Sequence, residues 1–142
     1  MGALAIPDLC AALAPDGLTN GSRYEAWFDT HVAPTYGSFL TGKDAWGLRC
    51  SILHQGRTQP HQGSYSRVLF VEPGHGFVMH RNVMDDALNL DVRLFCADLV
   101  TAARSWLGQV ETTPTYQANY PAFLQRYANG LAPYIVGIPV LS

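Results

Sequence analysis

Apolar residues recur at helical spacing through the first third of the chain. Residues 6–14 form a short apolar stretch, with Pro7 suited to a helical first turn and Pro15-Asp16-Gly17 as its stop. Ser22-Arg23-Tyr24-Glu25 has the form of a capping box ahead of a second helix. Tyr24, Trp27, Phe28, His31 and Val32 make its stripe, and Pro34 ends it. His31 on that stripe reads as a partly buried, hydrogen-bonded core residue. A third helix spans 41–55, with Gly56 in place to end it. Its Ala45, Trp46, Leu48, Cys50, Ile52 and Leu53 leave little polar surface, the mark of a helix central to its domain.

The pattern then changes period. Residues 57–64 are a turn-rich loop containing Pro60 and Gly63. Arg67-Val68-Leu69-Phe70-Val71 and Phe77-Val78-Met79-His80 flank the turn Pro73-Gly74-His75-Gly76, which predicts a small β-hairpin inserted at about 66–83. Residues 87–90 are a candidate third strand. Asp91 then caps a long helix, with Leu90 and Phe95 as its hydrophobic staple, Phe95, Leu99, Ala102, Ala103 and Trp106 as its stripe and Gly108 as its end. A last helix is expected over 121–128, stopped by Asn129-Gly130. The apolar, proline-containing tail 131–141 is expected to pack as extended chain or to sit at a subunit contact. The sum is a mainly α single domain over 1–142, a bundle of four to five helices with the hairpin between the third and fourth.

Composition narrows the function classes. The chain is 48% hydrophobic, and its 14% of charged residues falls below the roughly 25% of an average globular protein. A surface so poor in charge fits a homodimer that covers part of it. Net charge is −2, and Lys43 is the single lysine beside eight arginines, so the basic field of a duplex-gripping protein is missing. Arginine remains well suited to local phosphate contacts through its planar fork. Cys10, Cys50 and Cys96 form no close pair and read as reduced core thiols. No apolar run approaches the roughly 20 residues of a membrane span, and the first residues lack a basic leader. The expectation is a cytoplasmic protein without membrane attachment.

Arg49 and His54 stand at the exit of the third helix. An arginine there must find a partner or reach a cleft, because an unpaired buried charge is costly. The pattern Arg49-Cys50-Ser51-Ile52-Leu53-His54, an arginine, four residues and a histidine, resembles the signature of HEPN domains, and so does its Leu48-Arg49…Leu53-His54-Gln55-Gly56 setting. HEPN domains are small helical bundles in which such a motif supports metal-independent RNA cleavage. The resemblance is close over residues 45–56, and the inserted hairpin departs from it.

The resemblance implies that Arg49 and His54 are catalytic, with no cofactor and no metal. His54 would take or return a proton at a ribose oxygen and Arg49 would stabilise charge on the scissile phosphate. It also implies a homodimer in which two such helices meet, RNA as substrate, a toxin or defence role and a cognate protein partner. The two side chains are five positions apart, about 140° round an ideal helix, so only the long arginine arm or a loosened last turn brings them together. Arg57, Arg67 and Arg81 are candidate substrate-binding residues that would line a groove beside His54.

The competing reading is a non-catalytic HEPN-like dimeric interaction or ligand-binding module. In it Arg49 pairs with Asp44 or Asp98 and His54 caps carbonyls at its helix end. A ligand pocket lined by Trp27, Trp46 and Trp106 is a weaker variant, since such residues are usually core. His54 with His61, or His75 with His80, lacks a cysteine or carboxylate at a zinc-ligand spacing. Asp85-Asp86 reads as a solvated pair rather than a magnesium site, and Gly74-His75-Gly76 as a turn.

Overall fold

Six α-helices and seven short strands appear among residues 2–13, 17–74 and 76–142, the residues described by a computed structural model of the chain. A 3-10 turn leads into α1 (Ile6–Leu13), α2 (Gly21–His31), α3 (Ala33–Tyr36) and α4 (Gly42–Gln55). Strands β1 (Arg67–Val71), β2 (Asn82–Met84) and β3 (Ala87–Asp91) precede α5 (Val92–Val110) and α6 (Pro114–Asn119). The tail carries β4 (Arg126–Tyr127), β5 (Gly130–Leu131), β6 (Ile135–Val136) and β7 (Val140–Leu141). The chain is mainly α, and the stop expected at Pro15-Asp16 lies outside the described residues, as does His75.

One core joins the long helices to the three-stranded sheet. Tyr24 and Phe28 from α2, Ala45 and Leu48 from α4, Leu88 and Leu90 from β3 and Leu99 from α5 are fully buried in it. Each large side chain so buried contributes about 1.5–3 kcal/mol. Trp27 and Trp106 meet edge to face at 6.2 Å, and Trp106 meets Tyr116 of α6 at 6.3 Å, so these two tryptophans are core. His31 is half-buried with its ring 5.0 Å from Trp27, and burial lowers its pKa. The helices α2 and α4 approach closely because Gly42 has no side chain; a Cβ there would overlap the Glu25 backbone.

The start and stop signals of α4 act as the sequence suggests. The Thr41 hydroxyl accepts from the Asp44 amide at 3.2 Å, Asp44 returns the bond to the Thr41 amide at 3.0 Å, and Gly56 ends the helix at φ 65°. Asp91 likewise caps α5 by accepting from the amides of Arg93 and Leu94. That helix runs through Gly108 to Val110, since Leu107 and Val110 pack on the core and offset the roughly 1 kcal/mol cost of a helical glycine. The cap of α2 is Asn20, two residues before the expected box, because its side chain already accepts from the Arg23 amide at 3.0 Å.

The expected hairpin at 66–83 is not formed. Strand β1 pairs in parallel with β3, from Arg67 opposite Ala87 to Val71 opposite Asp91. The antiparallel partner of β3 is β2, with Asn82 opposite Asn89, and the turn between them falls at Asp85-Asp86, where Asp85 has φ 55°. Residues 77–80 are irregular. Burial decides the outcome: Leu88 and Leu90 are 0% exposed in the central strand, whereas Phe77 and Val78 are 62% and 63% exposed. Both segments are apolar, and only one has a core to face.

The last helix also lies elsewhere than expected. Thr113-Pro114 starts α6, with the Thr113 hydroxyl accepting from the Tyr116 amide at 3.3 Å and proline in the first turn, and Tyr116 anchors it beneath Trp106. Residues 121–128 contain a 3-10 turn and β4 instead. The tail is extended in two small antiparallel ribbons, β4 with β7 and β5 with β6. Tyr134, Val136 and Leu141 on it are exposed.

Candidate functional site at the end of α4

Arg49 leaves α4 beside Trp46, one turn earlier, and its guanidinium carbon lies 5.1 Å from that ring centroid. Its Nε donates to Oδ2 of Asp8 on α1 at 2.9 Å. The other arm of the fork, NH1, is 3.3 Å from Nε2 of His54. Burial works against the charge, but the hydrogen bond and ion pair with Asp8 outweigh it and raise the Arg49 pKa above its ordinary value. Arginine has no acceptor, so Nε2 of His54 must accept in this contact, which puts the ring proton on Nδ1. The arginine arm thus closes the gap that the helix geometry opens, and the last turn stays regular.

The acid that holds Arg49 is Asp8, not Asp44 or Asp98. Asp44 serves the α4 cap and also accepts from the Ser64 amide at 2.5 Å. Asp98 accepts from the Tyr36 hydroxyl at 2.8 Å and faces Nε2 of His80 at 3.6 Å. Asp8 escaped the sequence reading because it lies forty-one positions from Arg49. The available signal was its isolation: it is the one charged residue in the apolar run of α1. Nor does His54 cap carbonyls, because the amides of Gly56 and Arg57 occupy Ile52 and Ser51 at 3.0 and 3.2 Å.

His54 opens onto a surface depression shared with Cys50, Ser51, Gln55 and His61. It continues past Ser51, Gln55 and His61 to Arg57 and Gln59. Ser51 is 1% exposed, and its hydroxyl has no protein hydrogen-bond partner. Loop 57–66 forms the far wall and is tied down along its length. Ser64 is bonded to Asp44, Gln62 donates to Glu25 at 3.3 Å, and the Val68 amide donates to the Thr58 carbonyl at 2.9 Å. The loop touches α4 at Gly47, where a Cβ would overlap the Gln62 carbonyl. Next to that contact Nδ1 of His61 lies 3.2 Å from the Gly47 carbonyl.

Of the three arginines expected near His54, Arg57 lines this depression. Arg81, at φ 57°, turns to α3: its NH1 donates to the Thr35 carbonyl at 2.6 Å and its guanidinium sits 6.0 Å over Tyr36. Arg67 begins β1 and lines neither part of the depression. His80 is buried against Tyr36 and Asp98, where burial lowers its pKa and Asp98 opposes the shift. Among the described residues, no three His, Cys, Asp or Glu side chains converge as a metal ion would require. The three cysteines are free thiols, and burial pushes that of Cys10 up to about 12. No helix among the described residues is long and apolar enough to cross a membrane. No protein-family model, curated protein or solved structure matches the chain.

Proposed function

We propose that the chain is a metal-independent RNA endonuclease of the HEPN type, a helical bundle in which Arg49 and His54 of α4 act on the phosphodiester. The supporting observation is the Arg49–His54 contact, with Asp8 bracing the opposite arm of the same guanidinium. A 3.3 Å bond to a neutral imidazole is weak, and a phosphate oxygen offers the arginine a stronger, charge-assisted one. When NH1 moves to the phosphate, Nε2 of His54 is released to take the proton of a ribose 2′-hydroxyl. Attack of that oxygen on phosphorus displaces the 5′-oxygen and leaves a 2′,3′-cyclic phosphate. Arg57 brings a cation into the depression onto which His54 opens, which gives local attraction for RNA despite the net charge of −2. A homodimer, and a cognate protein partner that silences a toxin or defence nuclease, belong to the same reading.

The test is cleavage of single-stranded RNA in EDTA by the wild type, His54→Ala and Arg49→Lys. His54 is exposed, so His54→Ala should fold normally and lose about 10²–10⁴ in rate. Arg49→Lys keeps a charge for Asp8 but lacks the fork that reaches His54 as well, and should lose activity with little loss of stability. Cleavage that survives His54→Ala sinks the proposal. A non-catalytic dimeric module is the second reading, favoured by the exposed Tyr134, Val136 and Leu141 of the tail. In that case a tail variant dissociates the protein and no RNA is cut.

A further inference from the structure

We infer that His61 is the general acid of this site, so that both proton-transfer groups come from one chain. The inference rests on reading the protein as a ribonuclease. Cleavage by the 2′-oxygen forms the P–O2′ bond and breaks the P–O5′ bond. One group must remove the 2′-proton, and another must protonate the 5′-oxygen as it leaves, because an alkoxide is a poor leaving group. His54 fits the first role, since its Nε2 faces only a donor, Arg49. The second role needs an imidazole with a proton free to give.

His61 meets that need by geometry. It lines the same depression as His54, Cys50, Ser51 and Gln55. A carbonyl only accepts, so the 3.2 Å contact with the Gly47 oxygen puts a hydrogen on Nδ1 of His61 and leaves Nε2 as the nitrogen available to substrate. In its doubly protonated form the ring carries a second hydrogen, on Nε2, that it can give. The ring is held in place from both sides. Gly47 leaves no room for the loop to shift inward, and the residues just after His61 are anchored, Gln62 to Glu25 and Ser64 to Asp44. In the reaction His54 gains the 2′-proton, His61 gives its Nε2 proton to the 5′-oxygen, and exchange with water restores both before the next turnover.

The experiment compares two RNA substrates, one ordinary and one with sulfur in place of the bridging 5′-oxygen. A thiol titrates near about 8.5, so a thiolate leaves without a proton and needs no general acid. His61→Ala should lose about 10²–10⁴ on ordinary RNA and come within about tenfold of wild type on the sulfur substrate. His54→Ala should stay inactive on both. His61→Asn retains an N–H for the Gly47 carbonyl and so keeps the loop in place; it should behave as His61→Ala does. The inference is overturned if His61→Ala cuts ordinary RNA at the wild-type rate, if its loss is equal on both substrates, or if His61→Asn restores cleavage. If His54→Ala inactivates the enzyme while His61→Ala does not, the assignment of His61 fails alone. If the wild type cuts neither substrate, the ribonuclease reading fails and this inference with it.

Discussion

Replacing Asp8 by alanine leaves Arg49 without its counter-ion, and the cost can be worked from the site. The Arg49 and Asp8 side chains are 20% and 11% exposed, so the pair is largely but not wholly shielded from water. Breaking a fully buried pair on one side costs about 3–5 kcal/mol. Here the guanidinium keeps its contact with Trp46 and a partly wet edge, which lowers the figure to about 2 kcal/mol. For a chain of this size that is a fall of about 6–10 °C in Tm. Asp8→Asn keeps an oxygen for the Nε bond but not the charge, and should cost about 1 kcal/mol. Urea denaturation should show a lower midpoint at unchanged slope. Asp8 also lies in the first turn of α1, where a carboxylate favours the helix by about 0.3–1 kcal/mol. To isolate the pair, both Asp8 variants are remeasured in an Arg49→Met background, where the carboxylate no longer has a cation to hold. There Asp8→Ala should cost little or even stabilise. An equal cost in both backgrounds, or a change within about 0.5 kcal/mol with Arg49 present, would refute the reasoning.

Gly47→Ala drives a methyl group into the Gln62 carbonyl and should destabilise by about 1–3 kcal/mol; on the proposed mechanism it also cuts RNA cleavage more than an equally destabilising core variant such as Ile52→Val, measured well below both melting temperatures. His80 gives a pH prediction. Burial lowers its folded pKa against the opposing Asp98 and Asp91 and with the help of Arg81, so the unfolded chain binds the extra proton more readily. Its contribution is therefore complete above the ordinary value of 6.5 and is lost as pH falls below it. His80→Phe, which keeps an aromatic ring against Tyr36, should flatten the decline in Tm between about pH 7 and 5; an unchanged slope would remove His80 as its source.

How much of this was legible depended on how local each determinant is. The bounds of α4 and the Asp91 cap of α5 follow from residues within a turn of each other, and short-range hydrogen bonds settle them. The strands at 67–71 and 87–90 form where expected, but the hairpin pairing and the strand at 77–80 failed for the opposite reason. Phe77-Val78 and Leu88–Leu90 look alike along the chain, and what separates them is which one enters the core. Thr113-Pro114 was a local signal as good as any, but Asn129-Gly130, read as a helix stop, placed the last helix too far along the chain. At the site, the arginine and histidine were visible as a pair, though not that they touch. Asp8 and His61 became members only when α1 and loop 57–66 were laid on α4.

A guanidinium paired with Asp8 ties positions 8 and 49 into one unit of inheritance. A descendant that loses Arg49 is left with a stranded carboxylate on α1, and one that first loses Asp8 is left with a stranded cation. Neither single step is cheap, so the two positions are expected to change together or not at all, whatever happens to the sequence between them. Among diverged copies of this chain, position 8 should therefore track position 49 more closely than the residues adjoining either one. An exposed partner such as His54 carries no such constraint from stability. Where Arg49 persists without a histidine at 54, the scaffold would have outlived its chemistry.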